Sequence, residues 1–305
     1  MTAPLYTRFA PSPTGALHLG HIYAALVATH FASQTGGAMM LRIDDIDHTR
    51  CRPDFTTGIF DDLDWFGIDW HCAPDKPANR QDVPRQSTRL ADYRAALAQL
   101  HDMDLLYPCY LSRRELADML SAPHGAPSPL PDMIHNTDSI LDPAEISRRK
   151  QAGQSPAWRL RMQAANALAV AKVGDDLGWF DHITGWQAAT PAIFGDIVIA
   201  RADIAVSYHL AVVVDDAKDQ VNLVTRGADL APSTHLHRLL QTLLDLPVPA
   251  YCHHQLICNE AGVRLAKRDA AHSLAAMRAA GATRASITAL LPPMPVVTQK
   301  QRTTP

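Results

Sequence analysis

The chain has 305 residues, of which 47% are hydrophobic and 19% charged, and its formal net charge is −3. This balance is typical of a globular protein rather than a disordered one, and the length favours two or three structural units. No apolar run approaches the ~20 residues that span a bilayer, and the N-terminus lacks a signal-peptide pattern, so we expect a cytoplasmic protein with no membrane partner. Five cysteines without a CxxC spacing predict reduced thiols rather than disulfides.

Charge is distributed unevenly along the chain. Residues 44–75 contain nine acidic residues and two arginines, whereas residues 264–305 contain seven lysines and arginines and one acidic residue. A local basic surface can bind phosphates even when the whole chain is slightly acidic. Charge alone does not decide between a nucleic-acid surface and solvated helix faces.

Strand and helix signals alternate through the first hundred residues. The predicted elements are a strand at 5–10, a helix at 20–33, a strand at 39–43 and helices at 54–66 and 88–102. This βαβ order predicts a parallel sheet flanked by helices, with ligands bound beyond the carboxyl ends of the strands.

The middle of the chain has a different character. Residues 121–142 are rich in proline and poor in periodic apolar residues, which predicts an irregular loop. Beyond it, the pattern predicts strands at 157–162, 196–200, 209–214 and 221–225, a helix at 232–244, a strand at 251–257 and short terminal helices.

The sheet therefore resumes after an insertion, and the predicted fold class is α/β. We divide the chain into a first half of a Rossmann-like catalytic domain (1–103), an insertion subdomain (104–189), a second half of the catalytic domain (190–245) and a lysine loop with a short helical C-terminal part (246–305).

The first chemical motif lies where the first strand leads into the first helix. His18 and His21 flank Gly20 in the string HLGH, and their spacing lets both rings project to one side of the helix's first turn. Unpaired N–H groups and the positive end of the dipole make a helix N-terminus a site for phosphate. Gly20 leaves room for a phosphate or a flat ring to approach the backbone.

Three further clusters accompany this motif. The string RIDDIDHTR places Asp44 just after a predicted strand, at the edge where an open sheet binds ligands. Tyr208 precedes the predicted strand at 209–214, and Arg226 follows the next one. The string RLAKRD places Lys267 in a short basic loop.

With these residues in view, the chain resembles the class I glutamyl/glutaminyl aminoacyl-tRNA synthetases. RFAPSPTGALHLGH is similar to their first signature, and RLAK to a degenerate form of their lysine-bearing second signature. The resemblance runs from about residue 5 to 275 and is strongest to the short branch, the glutamyl-Q tRNA(Asp) synthetases. It implies a class I Rossmann-like parallel sheet with an inserted subdomain. Because the chain stops soon after the lysine loop, we expect no anticodon-binding domain.

The resemblance implies ATP-dependent activation of L-glutamate to glutamyl-adenylate. In the short branch, glutamate is then transferred to queuosine at the wobble position of tRNA(Asp), so the anticodon stem-loop is the expected partner. Mg²⁺ is expected with ATP, held mainly by the phosphates. We expect a monomer.

Positioned donors aimed at the charge that develops on phosphate oxygens are the main catalytic device for such a transfer. The expected catalytic residues are His18, His21 and Lys267. The expected ATP-binding residues add Pro11 and Gly20 to these three.

Glutamate carries two carboxylates and one ammonium, so its pocket needs cationic clamps and one anion. Arg8 and Arg226 are the predicted clamps, because a guanidinium grips a carboxylate in bidentate fashion. An internal ion pair of Arg226 with Asp229 or Asp215 is the alternative. The full predicted set for glutamate is Arg8, Phe9, Ala10, Pro11, Ser12, Asp44, Tyr208 and Arg226.

The chain departs from the family pattern at two charged positions. Asp44 stands where relatives usually have glutamate, which shortens the side chain that faces the substrate ammonium by one methylene. Arg264 stands where they have the first lysine of the loop, which keeps the charge but changes the geometry.

A zinc site in the insertion is not expected. Relatives commonly use a CxC pair, but here Cys109 is followed by Leu111 at the second position, and one thiolate with His124 and His135 does not make a four-ligand site. The string YCHHQLIC is interpreted as a strand, because adjacent histidines on a strand point to opposite faces.

Three rival functions remain open. A truncated glutamyl-tRNA synthetase would charge tRNA 3′ ends, and a non-catalytic relative would only bind tRNA or nucleotide. A cytidylyltransferase-like enzyme also uses HxGH, but it would not require the glutamate clamps.

Overall fold

The computed structural model describes residues 3–112, 114–115, 141–202, 205–257 and 273–296. The predicted loop at 121–142 falls almost entirely outside the described residues. So do His124, His135, Arg264 and Lys267, which the sequence analysis named, and Cys258, the last residue of the string YCHHQLIC.

The strands are short and occur throughout the described chain. They are β1 (Tyr6–Phe9), β2 (Ala38–Leu41), β3 (His71–Ala73), β4 (Lys76–Pro77), β5 (Leu106–Cys109), β6 (Ala157–Leu160), β7 (Gly178–Asp181), β8 (Gly185–Ala188), β9 (Val198–Ala200), β10 (Leu223–Gly227) and β11 (Ala250–His254).

The α-helices alternate with these strands in the N-terminal part and gather again near the C-terminus. They are α1 (Leu19–Ser33), α2 (Pro53–Phe66), α3 (Leu90–Asp102), α4 (Pro143–Gln151), α5 (Met162–Val173), α6 (Tyr208–Lys218), α7 (Ser233–Leu243), α8 (Leu274–Ala279) and α9 (Arg284–Thr288).

A parallel sheet forms the centre of the molecule. β1 pairs with β2, β2 with β3, and β10 with β11, all in parallel. The backbone N–H of Asn222 donates to the carbonyl of Tyr6 at 3.0 Å, which places β10 beside β1. The strand order is therefore β3-β2-β1-β10-β11, and the predicted α/β class is confirmed.

The remaining strands form antiparallel pairs, except that β7 also pairs with β11 in parallel. β7 and β8 form a hairpin, and β7 joins the parallel sheet through the Asp181–Tyr251 pair on β11. β5, β6 and β9 form a separate antiparallel sheet. Strands of the predicted insertion range thus contact strands of the predicted catalytic range, and the domain boundaries stay a prediction.

Helix α1 is buried on most of its surface because it lies between two apolar clusters. Ile22 and Ala25 pack with residues of β1, β2 and α2, whereas Tyr23 and Val27 pack with β10 and β11. A helix that is apolar nearly all round is typical of such a position. This packing fixes the helix N-terminus, and therefore His18 and His21, against the carboxyl end of the sheet.

One predicted element is wrong. The predicted strand at 209–214 instead lies in α6, although its three consecutive valines favour a strand. The side chain of Ser207 accepts a hydrogen bond from the Leu210 backbone N–H and caps this helix. Asp215 on this helix and Asp219, its C-cap residue, bind buried arginines, so tertiary contacts outweigh the β-branched propensity.

The other predicted helices and strands in the described part of the chain are confirmed, with ends that differ by a few residues. Within the described residues, no helix has the length and apolar character needed to cross a bilayer.

Candidate active site

A cavity of about 460 Å³ lies where the carboxyl ends of β1 and β10 meet the N-terminus of α1. The structure brings together around it every predicted site residue that it describes: Arg8, Phe9, Ala10, Pro11, Ser12, His18, Gly20, His21, Asp44, Tyr208 and Arg226. Their individual roles stay predictions, and Lys267 lies outside the described residues.

The two histidines of the HLGH motif also cap helix α1. His18 is the N-cap residue, and its Nδ1 accepts from the backbone N–H of Gly20 at 3.1 Å. The backbone N–H of His18 in turn donates to Nδ1 of His21 at 3.1 Å. Because each Nδ1 is an acceptor, the ring proton of each imidazole is on Nε2. The cap therefore makes both rings Nε2–H donors at the cavity wall.

Gly20 leaves room for this ring arrangement. A Cβ at this position would lie 3.0 Å from Cε1 and 3.1 Å from Nδ1 of His18. The His18 and His21 rings are close together, with centroids 3.8 Å apart. A side chain at position 20 would thus displace the His18 ring from its place on the cavity wall.

Both described flanks of the segment that contains Lys267 lie at this site. Ile257, which precedes the segment, lines the cavity. Ser273, which follows it, pairs with His18 as an antiparallel bridge, and the Leu274 backbone N–H donates to the Leu17 carbonyl at 2.8 Å.

Arg8 is held by a carboxylate beneath the cavity. Its Nε lies 3.2 Å from Oδ1 of Asp216, and its Nη1 donates to the Thr225 carbonyl at 3.1 Å. Arg8 and Asp216 are both buried, and the pKa of Asp216 is lowered because Arg8 and Arg42 outweigh its burial. Arg8 therefore brings a positive charge that is already partly balanced.

Asp44 is anchored by the preceding buried arginine. Arg42 donates from Nε to Oδ1 of Asp44 at 2.7 Å and from Nη1 to Asp216 at 2.8 Å. Burial nevertheless raises the pKa of Asp44 to about 6, although Arg42 acts in the opposite direction. The carboxylate lines the cavity and carries its negative charge at neutral pH.

Arg226 has a different environment. Nε donates to Nε2 of His253 at 3.1 Å, Nη1 to Nδ1 of His237 at 3.1 Å, and Nη2 to Oγ1 of Thr234 at 2.6 Å. No ion pair joins Arg226 to a carboxylate within the part of the chain that the structure describes. The alternative of an internal pair with Asp215 or Asp229 is therefore wrong there, and Asp215 instead accepts from Arg89, Tyr93 and Gln86.

A larger cavity of about 1100 Å³ adjoins the first one. The two cavities share Ser12, Asp44 and Tyr208 in their walls. Tyr208 is 39% exposed, and its ring lies against His209 and His237. A group bound in the larger cavity would therefore adjoin the ligands of the smaller one.

Sequence reasoning missed part of the cavity wall. Gly227 lines it, and a Cβ there would lie 2.5 Å from Oδ1 of Asp229 and 2.7 Å from Cδ2 of Leu256, so a side chain at this place would shift those two side chains. His254, which pairs in register with Gly227, also lines the cavity. The string GADL after Arg226 was a visible signal, but only the strand register shows that it meets residues 254–257.

The adjacent histidines of β11 face opposite sides, as predicted. His253 contacts Arg226 and Asp181, whereas His254 packs edge-on against Tyr23. Among the described residues, no group of three or more His, Cys, Asp or Glu is arranged to hold a metal ion. Cys109 and Leu111 both lie in the wall of the larger cavity.

The residues of the cavity wall fit a nucleoside triphosphate. Phosphates can bind to the Nε2–H donors of His18 and His21 and to the N-terminus of α1. A flat ring can fit in the part of the cavity next to Gly20 and Gly227. The cavity wall also contains two guanidinium groups, of Arg8 and Arg226, and the carboxylates of Asp44 and Asp229, and these include the charges that a glutamate ligand needs.

Comparison with known proteins gives a consistent result. The family model described as tRNA synthetases class I (E and Q), catalytic domain, matches residues 4–302. The glutamyl-Q tRNA(Asp) synthetase of Rhodobacter capsulatus is 46% identical over 292 residues, which cover 94% of this chain and 99% of that protein. The corresponding protein of Symbiobacterium thermophilum is 42% identical, with 90% of this chain and 81% of that protein covered.

Among solved structures, a glutamate tRNA ligase from Elizabethkingia meningosepticum in complex with its amino acid superposes with a TM-score of 0.66 at 28% identity. The match covers 87% of this chain but only 52% of the ligase, so the chain spans about half the length of that enzyme. On these grounds the chain belongs to the class I tRNA synthetases for glutamate and glutamine and, within them, to the glutamyl-Q tRNA(Asp) synthetases.

Proposed function

We propose that this protein uses ATP to activate L-glutamate as glutamyl-adenylate and transfers the glutamate to queuosine at the wobble position of tRNA(Asp). The observation that carries the proposal is that His18, His21, Arg8, Asp44 and Arg226 all line the smaller cavity. The names of the relatives support the choice of acceptor.

In the activation step, an oxygen of the glutamate α-carboxylate attacks the α-phosphorus of ATP. The new O–P bond forms while the bond to the β-phosphate oxygen breaks, and pyrophosphate leaves with the electron pair. The Nε2–H groups of His18 and His21 donate to the phosphate oxygens, where negative charge develops. Lys267 would supply a further cation, and Mg²⁺ would be held mainly by the phosphates of ATP.

Three of the four charged side chains in the cavity wall, Arg8, Asp44 and Arg226, match the three charges of glutamate. Arg226 is the cation without a carboxylate partner among the described residues, so it can take a substrate carboxylate in bidentate fashion. Arg8 adds a second positive charge, and Asp44 faces the substrate ammonium. The hydroxyl of Tyr208 adds a donor at the border with the larger cavity.

In the transfer step, a hydroxyl of the acceptor nucleoside attacks the carbonyl carbon of the adenylate, and AMP leaves. The larger cavity shares three wall residues with the smaller one, so an acceptor held there would reach the activated carbonyl. We propose that the anticodon stem-loop enters by this route. We also propose that the protein acts as a monomer in the cytoplasm, where ATP, glutamate and tRNA occur together.

The test is glutamate-dependent ATP–pyrophosphate exchange without tRNA, comparing the wild-type protein with Lys267→Ala. We expect exchange with glutamate alone and its loss in the variant. Labelled glutamate should then appear on tRNA(Asp) that contains queuosine and not on tRNA(Asp) that lacks it. Absence of exchange under every condition would contradict the proposal and favour a protein that only binds tRNA or nucleotide.

A second candidate function is charging of tRNA 3′ ends, because the superposed solved structure is a glutamate tRNA ligase. Exchange that requires tRNA(Glu), and an ester on the 3′ end that is unaffected by the loss of queuosine, would support this function instead.

A further inference from the structure

The guanidinium of Arg226 is held by neutral acceptors on three elements. Its donors contact Thr234 and His237 on α7 and His253 on β11. A guanidinium has only donors and is always protonated, so each nitrogen or oxygen that faces it must offer a lone pair. We call Thr234, His237 and His253 the arginine cradle.

The hydrogen bonds that Arg226 donates fix the tautomers of the imidazoles, and the contacts on the far sides of the rings agree with them. Nδ1 of His237 accepts from Arg226, so its proton is on Nε2 and donates to Nδ1 of His209 at 3.2 Å. Nε2 of His253 accepts from Arg226, so its proton is on Nδ1 and donates to Asp181 at 2.5 Å. The Thr234 hydroxyl accepts from Arg226 and donates to Nε2 of His253 at 3.2 Å.

The environment keeps these rings neutral. Burial and the nearby Arg226 charge hold the pKa of His237 well below its ordinary value, and they lower the pKa of His209 to about 4. Burial also lowers the pKa of His253, against the opposite effect of Asp181. Protonation of either cradle histidine would replace its lone pair with a donor facing Arg226.

The contrast with Arg8 shows what this arrangement does. Arg8 is paired with the Asp216 carboxylate, which offsets much of its charge. The cradle fixes all three guanidinium nitrogens of Arg226 without placing an anion in direct contact with it. A ligand carboxylate therefore has no protein carboxylate to displace, and Arg226 loses little conformational freedom on binding.

We propose that Thr234, His237 and His253 are positioning residues that orient Arg226, as a fixed and uncompensated cation, toward a carboxylate of glutamate. This inference rests on the proposed function. It assigns a role to three polar residues that sequence reasoning did not place at the site, two of them on the buried side of α7.

The first experiment compares Thr234→Val, which removes only the hydroxyl acceptor, with Thr234→Ser, which keeps it. Glutamate affinity is measured by calorimetry, and KM and kcat by pyrophosphate exchange. A bond to a charged group is lost, so Thr234→Val should weaken glutamate binding about tenfold, with KM for ATP and kcat within about twofold of wild type. Thr234→Ser should restore the affinity.

The second experiment compares His237→Leu with His237→Asn, because an asparagine oxygen can replace the Nδ1 acceptor. His235→Asn on the same helix is the matched control, since His235 contacts Thr190 and lines neither cavity. We expect a loss of glutamate affinity of about tenfold or more for leucine, substantial recovery for asparagine and no change for the control.

A double-mutant cycle separates positioning from packing. In an Arg226→Ala background, Thr234→Val should produce no further loss of glutamate affinity, because its whole effect acts through the arginine. Equal losses in both backgrounds, or unchanged affinity in the Thr234→Val single variant, would overturn the inference. If the wild-type protein bound no glutamate in the calorimeter, the proposed function itself would fail.

Discussion

The backbone N–H of His18 donates to Nδ1 of His21, so the N-cap residue of α1 is itself capped by the second histidine of its motif. One hydrogen bond thus completes the helix N-terminus and sets the tautomer of a ring on the cavity wall. The structural and the chemical roles of His21 belong to different nitrogens of the same ring, and a substitution can separate them.

His21→Asn should keep the cap and remove the Nε2–H donor. An asparagine oxygen can accept from the His18 backbone N–H in place of Nδ1, so the free energy of unfolding should change by less than about 1 kcal/mol. The loss of one donor to the developing charge should lower kcat of pyrophosphate exchange by about 10²–10³. Urea unfolding and exchange kinetics measure the two effects, and a variant with wild-type kcat would exclude His21 from catalysis.

Gly20→Ala should impair the reaction even though alanine favours a helix. The added Cβ would crowd the His18 ring at 3.0 Å, so the ring must move by a few tenths of an ångström. Because small displacements of positioned groups are costly, we expect kcat to fall about tenfold or more.

The matched control is Gly58→Ala, inside α2, where an added Cβ meets nothing within 4 Å. This variant should gain about 0.5–1 kcal/mol of stability and keep its activity. Equal activity of Gly20→Ala and Gly58→Ala would show that the His18 ring position does not matter.

The sequence predicts the fold and half of the cavity wall because both depend on local signals. A βαβ order and the HLGH string are readable within about fifty residues, and they correctly place Arg8, His18, His21 and Asp44 around one space. Arg226 lies on β10, whose carboxyl end borders this cavity, and the sequence also identifies it as a site residue.

The rest depends on contacts between residues that are distant in the chain. Residues 209–214 read as a strand because of their valines, and only the buried arginines that bind Asp215 and Asp219 show why they form α6. The partners of Arg226 come from two other elements, and His237 looks like an ordinary helix histidine in the sequence. No local pattern reveals that its Nδ1 faces a guanidinium.

Glutamate binding should weaken at acidic pH. Burial raises the pKa of Asp44 to about 6, so this carboxylate becomes neutral as the pH falls through that value and no longer attracts the substrate ammonium. KM for glutamate should rise about tenfold between about pH 7.5 and pH 5, following the ionised fraction. In Asp44→Asn, KM should be high throughout and nearly independent of pH in this range. A steep pH dependence that survives in Asp44→Asn would assign the effect to another group.

The buried ion network under the site should make a large contribution to stability. Asp215 is fully buried, accepts from Arg89 at 2.9 Å and from the Tyr93 hydroxyl at 2.9 Å, and lies 3.7 Å from Nε of Arg42. Asp215→Ala would leave buried guanidinium charge less compensated, which typically costs 3–5 kcal/mol, so we expect a loss of about that size in urea unfolding.

Helix α6 offers a control for this effect. Lys218 pairs with Asp92 at 2.6 Å, but both side chains are exposed. Surface pairs contribute little, so Lys218→Ala should cost less than about 1 kcal/mol. Because Asp216 and Asp219 of the same network hold Arg8 and Arg42, Asp215→Ala should also raise KM for glutamate, whereas Lys218→Ala should leave KM unchanged. Similar losses of stability in the two variants would show that the network acts as an ordinary surface pair.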